Sequence, residues 1–198
     1  MNGGGRITSE EKASLTTYLG VGILVLLAAL GVYYFFFLAD KEVKQITGFD
    51  PNRPVPTDAV LRRRLKGEAF AVVRERLTQM PFQNQYWNEV RTGLYVDVIT
   101  GEPLFTSLDK YDAGVGVPSF TKPISNDLLV ESLDTRYDMQ RIQLQAKRSN
   151  AYLGHRFDDP NSPTRQRYSV NSAALRFIPI ERMKAEGYEA YLPLLEKK

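Results

Sequence analysis

Few residues in this chain of 198 could do chemistry, and a serine is the first of them. Ser169 lies in the run Arg167–Pro179 (RYSVNSAALRFIP), whose pattern predicts one central strand with a buried face. The chain has no cysteine, which excludes disulfides, thiolate metal sites and thiol catalysis. Its single histidine, His155, is better explained by a structural hydrogen bond than by metal binding. The sequence shows no glycine-rich phosphate loop, paired catalytic carboxylates or Ser, His, Asp constellation elsewhere.

The elements that must position these residues are predicted to be mainly β. The segment 93–105 (GLYVDVITGEPLF) alternates side-chain character and contains a Gly-Glu-Pro turn, which predicts a strand and hairpin, and residues 141–148 alternate likewise. Residues 59–77 repeat apolar side chains at helical spacing among five arginines and Lys66, which predicts an amphipathic helix with a break at Gly67. Its basic face would contact lipid headgroups or an acidic partner, or be simply solvated. The formal charge of +3 does not require a nucleic-acid partner.

An uncharged run of 21 residues, Tyr18–Leu38, predicts an uncleaved membrane-spanning helix. It divides the chain into a polar tail (1–17), the span (18–38), a proline-rich linker (39–58) and a soluble domain (59–198). Nearby positive charges are almost balanced on the two sides of the span. A single amino-terminal anchor followed by a large domain then favours a domain on the outer, periplasmic side.

The predicted span has features that suit contact with other membrane components. Small residues along the span would let a partner helix approach closely; they are Gly20, Gly22, Ala28, Ala29 and Gly31. Three bulky rings follow, which would pack against protein, pigment or lipid: Phe35, Phe36 and Phe37. These residues predict an integral membrane protein complex as the partner.

Five runs of the soluble part resemble, in the same order, the B-type methionine-R-sulfoxide reductases. The runs are 80–105, 107–124, 152–160 (YLGHRFDDP), 167–179 and 187–192 (GYEAYL). The resemblance implies that family's fold, which is two antiparallel sheets packed as a distorted barrel with short flanking helices.

The same resemblance implies a degenerate active site. The family attacks the sulfoxide sulfur with a thiolate where this chain has Ser169. Where the family has a tryptophan, a histidine and an arginine, this chain has Val117, Tyr152 and Gln145, while His155 and Asn171 are retained. We therefore expect a pseudoenzyme, with Tyr152 and Val117 closing the former substrate pocket.

The resemblance also implies that no metal or other cofactor is bound. Many members of the family hold zinc through two CxxC pairs, whose positions here are Asp97, Thr100, Ala146 and Ser149. We expect a non-catalytic structural or assembly subunit of a larger membrane complex of the photosynthetic or respiratory kind. The alternative is a protein that binds methionine sulfoxide or retains some reductase activity.

Overall fold

The computed structural model describes residues 9–33 and 48–196. The chain divides into two compact units, with the boundary in the sequence between Gln45 and Ile46. The first unit contains the helix α1 (Ser9–Tyr33). Its large apolar side chains at position 18 and from 21 to 33 are more than half exposed, from Leu30 at 53% to Tyr18 at 74%. Residues 34–38 of the predicted span, including Phe35, Phe36 and Phe37, lie outside the described residues.

Within residues 9–33 and 48–196, no helix has the combination of length and apolar character that crossing a membrane demands.

The described part of the second unit, residues 48–196, contains nine strands and three α-helices, together with short 3₁₀ helices. The strands are β1 (Gly93–Asp97), β2 (Pro103–Thr106), β3 (Lys110–Tyr111), β4 (Ser119–Phe120), β5 (Leu129–Asp134), β6 (Arg141–Ala146), β7 (Tyr152–Asp158), β8 (Gln166–Val170) and β9 (Leu175–Pro179). The helices are α2 (Asp58–Arg64), α3 (Ala69–Glu75) and α4 (Ile180–Met183). The predicted hairpin is confirmed as β1 and β2, and the predicted helix breaks around Gly67 into α2 and α3.

The strands form two antiparallel sheets, as expected. The smaller has the order β2-β1-β9, and the larger has the order β3-β4-β8-β7-β6-β5. Within the part of the chain that the structure describes, neither sheet closes on itself, so the predicted barrel is wrong. The sheets stay open because β3 and β5, at opposite ends of the larger sheet, each have a single strand neighbour.

Strand β1 is buried on both faces and separates two apolar cores. Tyr95 belongs to the larger core, which also contains Phe105 and Phe120, stacked with their ring centroids 4.4 Å apart. Leu94 and Val96, which point the opposite way because strand side chains alternate, belong to the smaller core. Helices α2 and α3 cover the larger core with four buried side chains, Leu61, Phe70, Val72 and Val73.

The run from 167 to 179 is not one strand, and that prediction is wrong. It contains β8, a 3₁₀ turn (Ser172–Ala174) and β9, and the two strands lie in different sheets. Asn171 ends β8, since its side-chain amide donates to the carbonyl of Leu153 at 2.9 Å and its oxygen accepts from the backbone N–H of Gln79 at 2.9 Å. These hydrogen bonds join residues that are far apart in the sequence, so the strand-like pattern of the run does not predict them.

Candidate functional site

Four polar residues lie side by side across the larger sheet, on the face opposite the main core. The strand register pairs Gln143 of β6 with His155 of β7, His155 with Ser169 of β8, and Ser169 with Ser119 of β4. Paired residues of neighbouring strands project from the same face about 5 Å apart. Tyr168 and Val170, which alternate with Ser169, face the main core instead. We call Gln143, His155, Ser169 and Ser119 the polar row.

Ser169 is partly exposed and its hydroxyl oxygen accepts a hydrogen bond from a cation. The donor is Nη1 of Arg167, 2.9 Å from Oγ. The same guanidinium approaches a carboxylate oxygen of Asp159 at 3.3 Å and lies over the ring of Phe157. Asp159 in turn accepts a hydrogen bond from the hydroxyl of Tyr111 at 2.7 Å. A serine nucleophile needs a base that accepts its proton, and a donating guanidinium does the opposite.

Both ring nitrogens of His155 are already occupied. Nε2 lies 2.8 Å from Oδ2 of Asp134, and Nδ1 lies 3.3 Å from the hydroxyl of Tyr152. Burial lowers the pKa of His155 and outweighs the opposing effect of the hydrogen bond to Asp134. The neutral ring therefore donates from Nε2 to the carboxylate and accepts at Nδ1 from the tyrosine. No ring nitrogen is left for Ser169 or for a substrate oxygen.

Asp134 is the centre of this network, and sequence analysis missed it. Its carboxylate receives Nε and Nη2 of Arg136 at 2.9 and 3.0 Å and Nη2 of Arg141 at 3.1 Å, in addition to His155. The hydrogen bonds from Arg136 and His155 hold the pKa of Asp134 far below its usual range. The spacing Asp-Thr-Arg indicates a local turn, but the contact with His155, 21 residues away, depends on the sheet register.

The structure brings some of the predicted site residues together and separates others. Tyr152 is buried beside His155, and Gln145 pairs with Tyr152 after a register shift in β6. Val117 lies in the loop before β4, where its carbonyl accepts a hydrogen bond from Ser119 at 3.2 Å. Asn171 does not face the polar row, because its side chain ties β8 to Leu153 and Gln79.

Three of the four positions that correspond to zinc ligands lie together. A carboxylate oxygen of Asp97 accepts from the hydroxyl of Thr100 at 2.6 Å, and the nearby Ser149 side chain acts to lower the pKa of Asp97. The fourth residue, Ala146, has no ligating atom in its side chain. Complete burial raises the pKa of Asp97. Among residues 9–33 and 48–196, no group of three or more His, Cys, Asp or Glu side chains could hold a metal ion.

A cavity of about 570 Å³ lies elsewhere in the domain, beside the turn between α2 and α3. Its lining is largely polar and includes Lys66, Glu68, Gln79 and Asn84. The buried amide of Gln79 bonds to a carboxylate oxygen of Glu68 and to the backbone N–H of Ala173. No member of the polar row lines this cavity.

A comparison with protein families gives one match, in which residues 65–179 fit the family described as the SelR domain. This stretch is more than half of the chain, and it contains the whole polar row together with Asp134 and Tyr152. The match confirms the family suggested by the sequence runs. The chain therefore belongs to the SelR domain family, which is the family of the methionine-R-sulfoxide reductases.

Proposed function

We propose that this SelR domain does not reduce methionine sulfoxide and serves as a non-catalytic assembly subunit of a membrane complex. One observation carries the proposal: the group at the attacking position is a serine hydroxyl that accepts a hydrogen bond from Arg167, and the neighbouring His155 has no free nitrogen. Both the nucleophile and the proton donor of the family reaction are therefore compromised.

The family reaction explains why serine at this position is disabling. A thiolate attacks the sulfoxide sulfur and takes up the oxygen as a sulfenic acid, which releases methionine. Transfer of the same oxygen to an alkoxide would form a bond between two oxygen atoms. The oxidised serine that results would not be stable in the way that a sulfenic acid is. The hydroxyl would also have to ionise without a base within hydrogen-bond reach. Among residues 9–33 and 48–196, the only hydrogen-bond partner of the Ser169 hydroxyl is a donor.

Proton donation to the departing oxygen is the second missing function. Positioned acid catalysis is typically worth ~10² to 10⁴ in rate. The N–H of neutral His155 points to Asp134, and its other nitrogen accepts from Tyr152. Arg136 and Arg141 are held by the same carboxylate. The N–H of His155 and the guanidinium groups of Arg136 and Arg141 are thus bound to one carboxylate, that of Asp134.

The membrane part of the proposal is supported by the sequence of residues 18–38, an uncharged run of 21 residues. A run of this length and character is suited to lipid or to the interior of an assembly. We place the protein in the membrane through a single pass, with its SelR domain on the outer side. Its partners would be integral membrane proteins of a photosynthetic or respiratory complex.

The catalytic claim is tested with the full chain, dithiothreitol and a peptide that contains methionine-R-sulfoxide. We expect no reduced peptide above the rate without protein. Measurable turnover would overturn the pseudoenzyme proposal. Calorimetric titration of the same peptide is expected to give millimolar or weaker binding, whereas micromolar binding would favour a sulfoxide-binding protein.

The assembly claim is tested separately by purifying the tagged protein from its native membranes in mild detergent. Mass spectrometry of the co-purifying chains should identify integral membrane proteins in a constant ratio to the tagged chain. Recovery of the tagged protein alone from the soluble fraction would contradict the proposal.

A further inference from the structure

Helices α2 and α3 and the turn between them, residues 58–76, concentrate the positive charge of the chain. This segment, which we call the basic hairpin, has six Lys and Arg residues and three Asp and Glu residues. Its formal net charge of +3 equals that of the whole chain, so the remaining residues are neutral in sum. Charge at such density attracts an anionic surface and is screened by salt.

Two of the six basic residues fix the hairpin to the rest of the domain. Arg74 bonds to Asp58 at 2.8 Å and to the carbonyl of Ser149 at 3.1 Å, and Arg64 reaches the carbonyl of Ile99 at 3.5 Å. Burial is the main cause that lowers the pKa of Arg64. Four apolar side chains of the hairpin, Leu61, Phe70, Val72 and Val73, are buried in the main core, so the hairpin is a firmly attached part of the fold.

The other four basic residues face solvent. Arg62 is 64% exposed, and its contact with the half-exposed Glu75 is long, at 3.5 Å. Arg63, Lys66 and Arg76 are exposed, and within the described ranges none has an ion-pair partner at 4.0 Å or less. Exposed pairs of this kind contribute little to stability. The four charges therefore remain available to a ligand.

We propose that the basic hairpin docks on a surface of anionic lipid headgroups, an inference that rests on the proposed membrane location. The composition of its outer side favours lipid over a protein partner. Protein hot spots are rich in aromatic side chains that fill pockets, and the one aromatic of the hairpin, Phe70, is 8% exposed and covered by Arg62. Of its large apolar side chains, only Val60 is exposed, at 38%. A plane of headgroups needs charge and no pocket.

The lack of native cysteines permits a direct test with a single reporter in the full chain. A polarity-sensitive label on Val60→Cys reports the basic hairpin. The same label on Leu133→Cys, which is 62% exposed on β5, is the control position. Each protein is mixed with vesicles of pure phosphatidylcholine or with vesicles that also contain 30% phosphatidylserine as the anionic probe, and salt is then raised.

We expect the label at position 60 to be shielded from water in anionic vesicles only, and raised salt to reverse the shielding. Replacing Arg63 and Lys66 with glutamine should shift the docking equilibrium about 25-fold, at roughly fivefold for each removed charge. The matched control removes two exposed lysines elsewhere, Lys122→Gln and Lys184→Gln, and should leave docking unchanged.

The outcomes separate this inference from the membrane anchor. One outcome is that the chain binds anionic vesicles reversibly with salt and does not bind neutral vesicles. This outcome would support headgroup docking and reject the membrane-spanning anchor. A chain that inserts into both vesicle types but shows the same label signal in each would overturn headgroup docking. Equal losses in the two double variants would also overturn it, because general charge would then explain the binding.

Discussion

Replacing Ser169 with cysteine should create a reactive thiol without creating a reductase. The sulfur would replace a hydroxyl that lies 2.9 Å from Nη1 of Arg167. Unit charges ~3 Å apart interact by ~5 kcal/mol at an effective dielectric constant of ~20. Asp159 lies 3.3 Å from the same guanidinium and offsets most of this attraction. We therefore expect a net fall of about one pKa unit, ~1.4 kcal/mol, from the ordinary cysteine value of ~8.5.

The thiol pKa is measured from the rate of iodoacetamide alkylation as a function of pH. Every signal comes from the introduced residue, because the chain has no other cysteine. Ser132→Cys, on the exposed strand β5, should titrate near ~8.5. Adding Arg167→Met to Ser169→Cys should raise the pKa to that value or above it, because Asp159 then acts on the thiolate without its cationic partner. Peptide sulfoxide turnover should stay at background, since His155 still lacks a free nitrogen.

Two results would refute this reasoning. An ordinary pKa for the cysteine at position 169, unchanged by Arg167→Met, would show that the guanidinium does not control this position. Turnover of the sulfoxide by Ser169→Cys would show that the Asp134 network does not block proton donation and that one substitution accounts for the inactivity.

Three further predictions concern the fold, its pH dependence and the anchor. Gly154→Ala should destabilise the domain by ~3 kcal/mol, because its φ of +153° disfavours a side chain and the new Cβ would lie 2.1 Å from a carbonyl oxygen of β8. Burial lowers the pKa of His155 below 6.5 in the folded protein. The contribution of the neutral histidine to stability should therefore be complete above pH ~6.5 and be lost as the pH falls through the pKa of the folded state. The pKa of Asp134 is also lowered, so this carboxylate adds a further loss of stability at still lower pH. Replacing Gly22 and Ala29 with leucine should displace the subunit from its complex while the SelR domain stays folded.

Each of these measurements has a control or a contrary result. Thermal melts of Gly154→Ala are compared with Gly114→Ala, whose new Cβ would meet nothing within 4 Å and whose cost should stay near 1–2 kcal/mol. Urea midpoints of wild type and His155→Gln should converge as pH falls from 7 to 5, and parallel curves would contradict the histidine assignment. Full retention of the leucine variant in the purified complex would show that the helix is only a tether.

The sequence predicted the class of fold because its signals are local. Alternation in residues 93–105 and 141–148 specified β1, β2 and β6, and Gly67, at a φ of +57°, separates α2 from α3 as predicted. The five matching runs correctly indicated the family. The sequence failed where a strand-like run crosses between sheets, because the turn after Asn171 is held by Leu153 and Gln79, which are far away in sequence.

The sequence predicted only those residues of the candidate site that lie in the runs resembling the family. Motif comparison pointed to Ser169 and His155, which the structure places side by side. It said nothing of Asp134, which lies in no recognisable motif and reaches His155 only because β5, β6 and β7 are paired in register. The role of Arg167 was also missed, although this residue begins the run RYSVN. Arg167 donates to Ser169, two residues away, only because both side chains lie on one face of β8.

The contacts of Asp97 with Thr100 and Ser149 have a consequence for the biogenesis of the domain. They bring the turn after β1 and the turn after β6 together through groups of the polypeptide itself. This junction forms as soon as both turns have been synthesised and packed. Its formation is independent of the supply of metal ions and of the redox conditions of the compartment in which the chain folds.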